Sequence, residues 1–329
     1  MKFQTISFFP ISLAAVLLLP ALLPQTGFAQ SAPPISTFTN ALLTADSVDS
    51  TRAVSEINGK LSYEGGTMNS AFGNNFDGSI AIPVFHQFGF QADGLYSKIS
   101  NLSFYSGAGH FFWRDPQIGL LGITGGYLDR LGVDTYQVGV EGEYYWRRFT
   151  FGAFGGVGSI SYKFPTPFIN TNPIQPVGRI SAGVYPIDNL LLSASYATEF
   201  HDNLVQGELE YQTPIRGLAL TAEAAYGSHG YDHLLFGIRY YFGRDKSLID
   251  RHRHDDPPGL VQQMLYGLGL YGAEYNRKEN QYIDANPGSG NSGGGGGDYG
   301  SVDTTITAPP PIINGGGGGI TITGSDSSL

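Results

Sequence analysis

The chain has 329 residues and a formal net charge of −10, a balance that excludes general nucleic-acid binding, so no nucleic-acid partner is expected. It contains no Cys, which excludes disulfides and thiolate metal sites. Its 47 Gly, 20 Tyr and 21 Phe, with only 14% charged residues, suit many short strands and tight turns and argue against a helix-rich enzyme.

Lys2 gives a positive start, Ile6 to Leu23 is apolar, and Thr26–Ala29 ends in small residues. Residues 1–29 therefore read as a secretory signal peptide cut after Ala29. The alternative is an uncleaved anchor, because the apolar run is long enough to span a bilayer. No comparable run follows, so no further helix is expected to cross a membrane. Residues 30–58 are rich in Pro, Ser and Thr and read as a periplasmic tether or short helix.

From residue 59 to 243 the chain alternates between faces and is broken by turns. About twelve strands are expected, the size of a mid-range membrane barrel. The first six are Lys60–Met68, Asp77–Val84, Phe88–Lys98, Leu102–Arg114, Gly119–Asp129 and Thr135–Arg147. The later six are Phe149–Tyr162, Val177–Tyr185, Leu190–Glu199, Val205–Gln212, Leu218–Gly227 and His233–Phe242.

Tyr136–Trp146 carries the clearest pattern. Tyr136, Val138, Val140, Gly142, Tyr144 and Trp146 form one face, and Gln137, Gly139, Glu141, Glu143 and Tyr145 the other. Ten steps of about 3.3 Å, tilted by about 40°, project onto about 25 Å, the height of the apolar band on a membrane barrel. Charges are costly on a lipid face and tolerated inside, so charged residues of one parity mark the lumen. The expected lumen set is Asp93, Glu141, Glu143, Glu208, Glu210 and Glu223 with Arg114, Arg147, Arg179 and Arg239. These residues line either a cation-preferring pore or an ion-paired plug. Reversing the charge of Glu141 and Glu143 separates the two: a pore changes its ion preference, a filled lumen loses stability.

The turns at one end are compact and rich in turn formers, such as Asp115–Gln117 and Pro186–Asn189. Trp113, Trp146, Phe85, Phe88, Phe149, Tyr185 and Tyr211 lie at that level and read as an interface belt, with Tyr136 and Tyr226 at the opposite rim. The connections at the other end include Asn69–Phe76 and Lys163–Pro176, which read as external. An even strand number places both termini in the periplasm, which agrees with an exported tether and a long tail.

Residues 244–329 change character: a charged stretch, a candidate amphipathic helix over residues 259–275 read as lying on a surface, then Gly-rich low complexity from Asn286. A lumen plug and an unstructured spacer are the other readings of 259–275.

Lumen carboxylates, aromatic belts and a last strand Leu234–Phe242 ending in an aromatic resemble the bacterial outer-membrane β-barrel class. In that class the last strand serves as the assembly signal, although here more than eighty residues follow it. The resemblance covers residues 59–243 and names no narrower family. It implies an all-β, antiparallel up-and-down transmembrane barrel in the outer membrane of a diderm bacterium. Membrane lipid and the barrel assembly machinery are the partners it implies.

Other chemistry is thinly supported. Ser106 and His110 share a parity, but no third partner of a triad is recognisable, so no enzyme activity is expected. His252 and His254 beside Asp250, Asp255 and Asp256 read as a solvated charge cluster more readily than a metal site, and no cofactor is expected. Gly125–Gly126 and Gly155–Gly156 lack the Lys-Ser/Thr of a phosphate loop and read as places of bending or close approach. The functional expectation is a passive porin-like channel for small polar solutes or ions, and the alternative a non-conducting anchor or interaction scaffold.

Overall fold

The computed structural model describes residues 52–100, 102–130, 132–162, 174–255 and 259–285. The expected signal peptide, most of the expected tether, residues 163–173 of the connection expected to be external, and everything after Ala285 lie outside the described residues.

Twelve antiparallel strands close into a barrel in which each strand pairs with its sequence neighbours and the first with the last. They are β1 (Asn58–Met68), β2 (Ala71–Phe85), β3 (Phe88–Ile99), β4 (Leu102–Asp115), β5 (Gly119–Arg130) and β6 (Val133–Trp146). β7 (Phe149–Tyr162), β8 (Gln175–Ile187), β9 (Leu190–Glu199), β10 (Asp202–Gln212), β11 (Leu218–Gly227) and β12 (Asp232–Tyr241) complete the sheet. Closure pairs Leu61 with Tyr240 and Tyr63 with Ile238, so no strand edge is left open. Two helices follow, α1 (Leu248–His254) and α2 (Val261–Ala285). None is long and apolar enough to cross a membrane, which says nothing of the strands.

The end of β12 and the start of β1 share one rim with the compact turns, called the turn side below. The opposite, loop-side rim carries the β1–β2, β9–β10 and β11–β12 connections. The stretch Asn69–Phe76, expected as an external loop, is instead mostly strand. Asn69 and Ser70 alone make the turn, with φ of 49° and 65°, and β2 begins at Ala71. Its inward parity is Ala71, Gly73, Asn75, Asp77 and Ser79, polar or small because it faces the lumen. That composition reads as loop when strand character is sought in β-branched and aromatic residues.

Outside, the barrel is apolar over its middle and aromatic at both ends. Ile80, Ile123, Val138, Val140 and Phe236 are exposed in the central band. Trp146 stacks on Phe149 at 5.6 Å between ring centroids, Phe88 stacks on Phe111 at 5.7 Å, and Trp113 lies beside them, forming the turn-side belt. Tyr96, Tyr105, Tyr127, Tyr136, Tyr196 and Tyr226 are exposed at the loop-side rim. A wide apolar exterior between aromatic belts is the surface a bilayer requires.

Inside, the loop-side half of the lumen is an apolar core. Met68, Leu95, Ile99, Phe104, Leu128, Val133, Ile160, Val177 and Leu204 point inward there and pack with α2. The helix expected on a surface therefore runs through the barrel. From Val261 to Ala273 it carries no charged residue, and Val261, Met264, Leu265, Tyr266, Leu268, Leu270 and Tyr271 are buried on all sides. A helix that is apolar all round is a buried helix, and the lumen is where this one is buried.

Candidate functional site: the filled lumen

The inward parity of β1, β10 and β12 brings Arg239 among three carboxylates. Its guanidinium bonds Glu210, lies 3.8 Å from Glu208 and 4.0 Å from Glu64, and its Nε donates to Ser62 Oγ at 3.0 Å. Tyr241 donates to Glu210 Oε1 at 2.7 Å, so this carboxylate has two donors on its two oxygens. Arg239 is thus the hub of an ion-paired wall, the arrangement of a filler. An open selectivity ring would leave its carboxylates facing solvent.

On the other side of the lumen His110 bridges two carboxylates. Its Nε2 is 2.9 Å from Asp93 Oδ2 and its Nδ1 2.9 Å from Glu141 Oε1. Both ring nitrogens are engaged, while Ser106 Oγ donates to the Tyr127 carbonyl at 3.0 Å. His110 and Ser106 therefore do not form a nucleophile–base pair. Glu143 accepts from Tyr145 at 2.8 Å, and Glu223 lies 2.7 Å from His233 Nε2.

The helix enters this wall through two amides. Gln262 Nε2 donates to Glu64 at 3.2 Å and to Asp77 at 3.3 Å. Gln263 donates to Glu199 at 3.1 Å and accepts from Arg179 at 2.8 Å, while Gln137 donates to Glu199 at 2.7 Å. Arg179 is held by the plug, and its expected place among wall carboxylates is taken by that contact. Higher up, glycines let wall and helix touch. A Cβ on Gly126 would sit 2.7 Å from Met264 Sδ, and one on Gly269 2.5 Å from the ring of Tyr231.

The turn-side mouth is covered as well. α1 is capped by Ser247, whose side chain accepts from the Asp250 amide. Its His252 lies between the hydroxyls of Tyr185, at 2.8 Å, and Tyr241, at 3.0 Å. Lys246 and Ser55 both bond Asp255, at 2.7 Å each. Ala53 and Val54 pack with Ala81, Phe112 and Leu120 inside the rim, and the Ala53 carbonyl accepts from Arg114 at 3.3 Å. Between α1 and the start of α2 lies a polar chamber of about 190 Å³, bordered by Glu143, Arg179, Glu208, Arg239 and Gln263.

The expected lumen residues Asp93, Glu141, Glu143, Glu208, Glu210, Glu223, Arg114, Arg179 and Arg239 all project inward. Arg147 does not. β6 ends at Trp146, Arg147 turns the chain with φ of 53°, and its guanidinium rests 5.7 Å from the Trp146 ring. Alternation stops where the strand stops, so parity cannot be extended across the turn. Tyr185 likewise leaves the expected belt: it lies at the rim but on the inward parity, and is 2% exposed. Trp113, Trp146, Tyr136, Phe149 and Tyr226 are on the outward parity. Glu64, Asp77, Glu199 and His233 belong to the inward set without having been singled out. Glu64 and Glu199 were readable from the parity of expected strands, and Asp77 from the first position of its expected strand. Among the described residues no group of His, Asp and Glu converges as a metal site.

These features define a twelve-stranded β-barrel of the outer-membrane class, porin-like in wall and belts, with a filled lumen. No family model matches the chain, and no curated protein matches it. Among solved structures it is similar to the KdgM porin in complex with disordered oligogalacturonate, with 8% identity and a TM-score of 0.45 over 56% of this chain and 99% of that one. It is also similar to the outer membrane protein Omp33 of Acinetobacter baumannii, at 11% identity and a TM-score of 0.40 over 57% of this chain and 99% of that one. The outer membrane channel COG4313 of Pseudomonas putida F1 shares 7% identity with a TM-score of 0.42, over 56% of this chain and 94% of that one.

Proposed function

We propose that the protein is a non-conducting outer-membrane barrel that serves as a membrane anchor and interaction scaffold. The observation that carries this reading is the apolar loop-side lumen packed around α2. A water-filled pore for polar solutes needs polar walls, and hydrophobic constrictions close pores by dewetting. The inward Met68, Leu95, Ile99, Phe104 and Leu128 form a core that needs the helix as its other half. Burying side chains of this size stabilises by about 1.5–3 kcal/mol each, so the helix is part of the fold. Lipid surrounds the apolar band, and the barrel assembly machinery of a diderm envelope inserts it.

A second reading, a passive channel for small polar solutes or ions, draws on the polar turn-side chamber beside Glu143 and Glu208. It requires α2 to withdraw. Planar-bilayer recording of the correctly folded full-length chain separates the two. Silence is the expected result, and steady conductance would restore the channel.

A further inference from the structure

β12 ends at the turn-side rim, where the first strand also begins, and α1 stays there. The chain then turns back into the barrel. Along α2 the partners rise steadily: Gln262 meets Glu64 and Asp77 in the polar half, and Gly267 lies against Glu199. Gly269 lies against Tyr231, and Tyr271 meets Phe200 at 6.4 Å between ring centroids. Tyr231 and Phe200 belong to loop-side connections. From Tyr271 to Ala285 the helix has fourteen more residues, about 21 Å at the usual rise of about 1.5 Å per residue. Arg277 and Gln281 are exposed, as expected of a stretch that has left the lumen.

We infer that α2 carries the chain across the membrane, so that residues 286–329 are displayed on the face opposite the segment preceding β1. The barrel is then a device for presenting its own C-terminal segment at the loop-side surface. This rests on the anchor reading, since the helix must occupy the lumen permanently. An independent feature of the sequence agrees with it. Residues 286–329 contain no Lys or Arg and one aromatic residue, Tyr299, with many Gly, Ser and Thr. A segment with few bulky and no cationic side chains can pass a lumen lined by carboxylates and large apolar groups before α2 seats. Charged long side chains would bind or jam on the way.

Because the chain has no Cys, single-cysteine labelling reads the two faces directly. Asp303→Cys and Ser36→Cys would be made separately in the full chain and expressed in a diderm host. Intact and permeabilised cells would be treated with a membrane-impermeant maleimide. Neither position lies in the described barrel, and a heat-modifiable gel shift checks that each variant has folded. One position should label on intact cells, expected to be Asp303→Cys, and the other only after permeabilisation. Labelling of both positions under the same condition would overturn the inference. Bilayer recording on the same preparations keeps the two ideas apart. Conductance with opposite-face labelling removes the anchor reading alone, and silence with same-face labelling removes the display alone.

Discussion

At the scale of single residues, Arg239 is where the polar half of the lumen is most exposed to failure. Its guanidinium is the cation nearest to Glu210, Glu208 and Glu64 together. Removing one partner of a buried ion pair leaves uncompensated charge, at a cost of about 3–5 kcal/mol. Arg239→Met should therefore lower the urea midpoint of the folded barrel markedly, whereas Arg239→Lys should retain part of the stability. Equal midpoints for Arg239→Met and the parent would show that the pairs are solvated. Glu141 gives a related outcome. It faces His110 in a closed wall, so Glu141→Lys puts an ammonium against the imidazole in place of its acceptor. Lost stability is expected, with no change in ion preference to measure. A folded, conducting Glu141→Lys variant with altered selectivity would contradict the filled lumen.

At the scale of elements, α2 offers a test whose sign is informative. Gly inside an exposed helix is destabilising by about 0.5–1 kcal/mol relative to Ala, so Gly269→Ala would stabilise a helix lying on a surface. In the lumen the added methyl would come within 2.5 Å of the ring of Tyr231, which is fully buried. Overpacking of this kind costs about 1–3 kcal/mol and outweighs the propensity gain. Gly269→Ala is therefore expected to lower thermal stability and to raise protease sensitivity of the helix, and an increase in stability would place α2 outside. The same contrast explains what the sequence made legible. Strand number, parity and belts were readable because each strand has one lipid face, and lipid tolerates only apolar side chains. The start of β2 was not, because a lumen-facing row of Ala, Gly, Asn, Asp and Ser resembles a loop. The helix was recognisable as a helix, with leucines and tyrosines grouped ahead of charges. Its all-round apolar surface, together with inward apolar residues clustered at one end of the strands, was the signal for a plug. That signal emerges only when all the strands are aligned in one register, as pairs such as Gly73 with Ile99 and Phe104 with Arg130 align them.

At the scale of the whole molecule, the decisive question is what solvent the exterior meets. Val140 lies on the outward face of β6 between Tyr136 and Trp146, and is 57% exposed. In water such a position would tolerate Arg within about 0.5 kcal/mol, because an exposed valine contributes little. Against hydrocarbon the same change at mid-height costs about 2–4 kcal/mol. Trp146→Arg, at the belt, should cost about 1 kcal/mol or less, since the price of charge falls toward the interface. Refolding midpoints in lipid vesicles for Val140→Arg and Trp146→Arg should thus differ by about fivefold or more in the folding equilibrium, with Val140→Arg the weaker. Equal and small effects at both positions would mean that the band faces water. A barrel with an apolar exterior and an apolar half-lumen would then have no environment in which both surfaces are satisfied. The membrane is what reconciles them: lipid covers the outside, and α2 fills the apolar half of the inside.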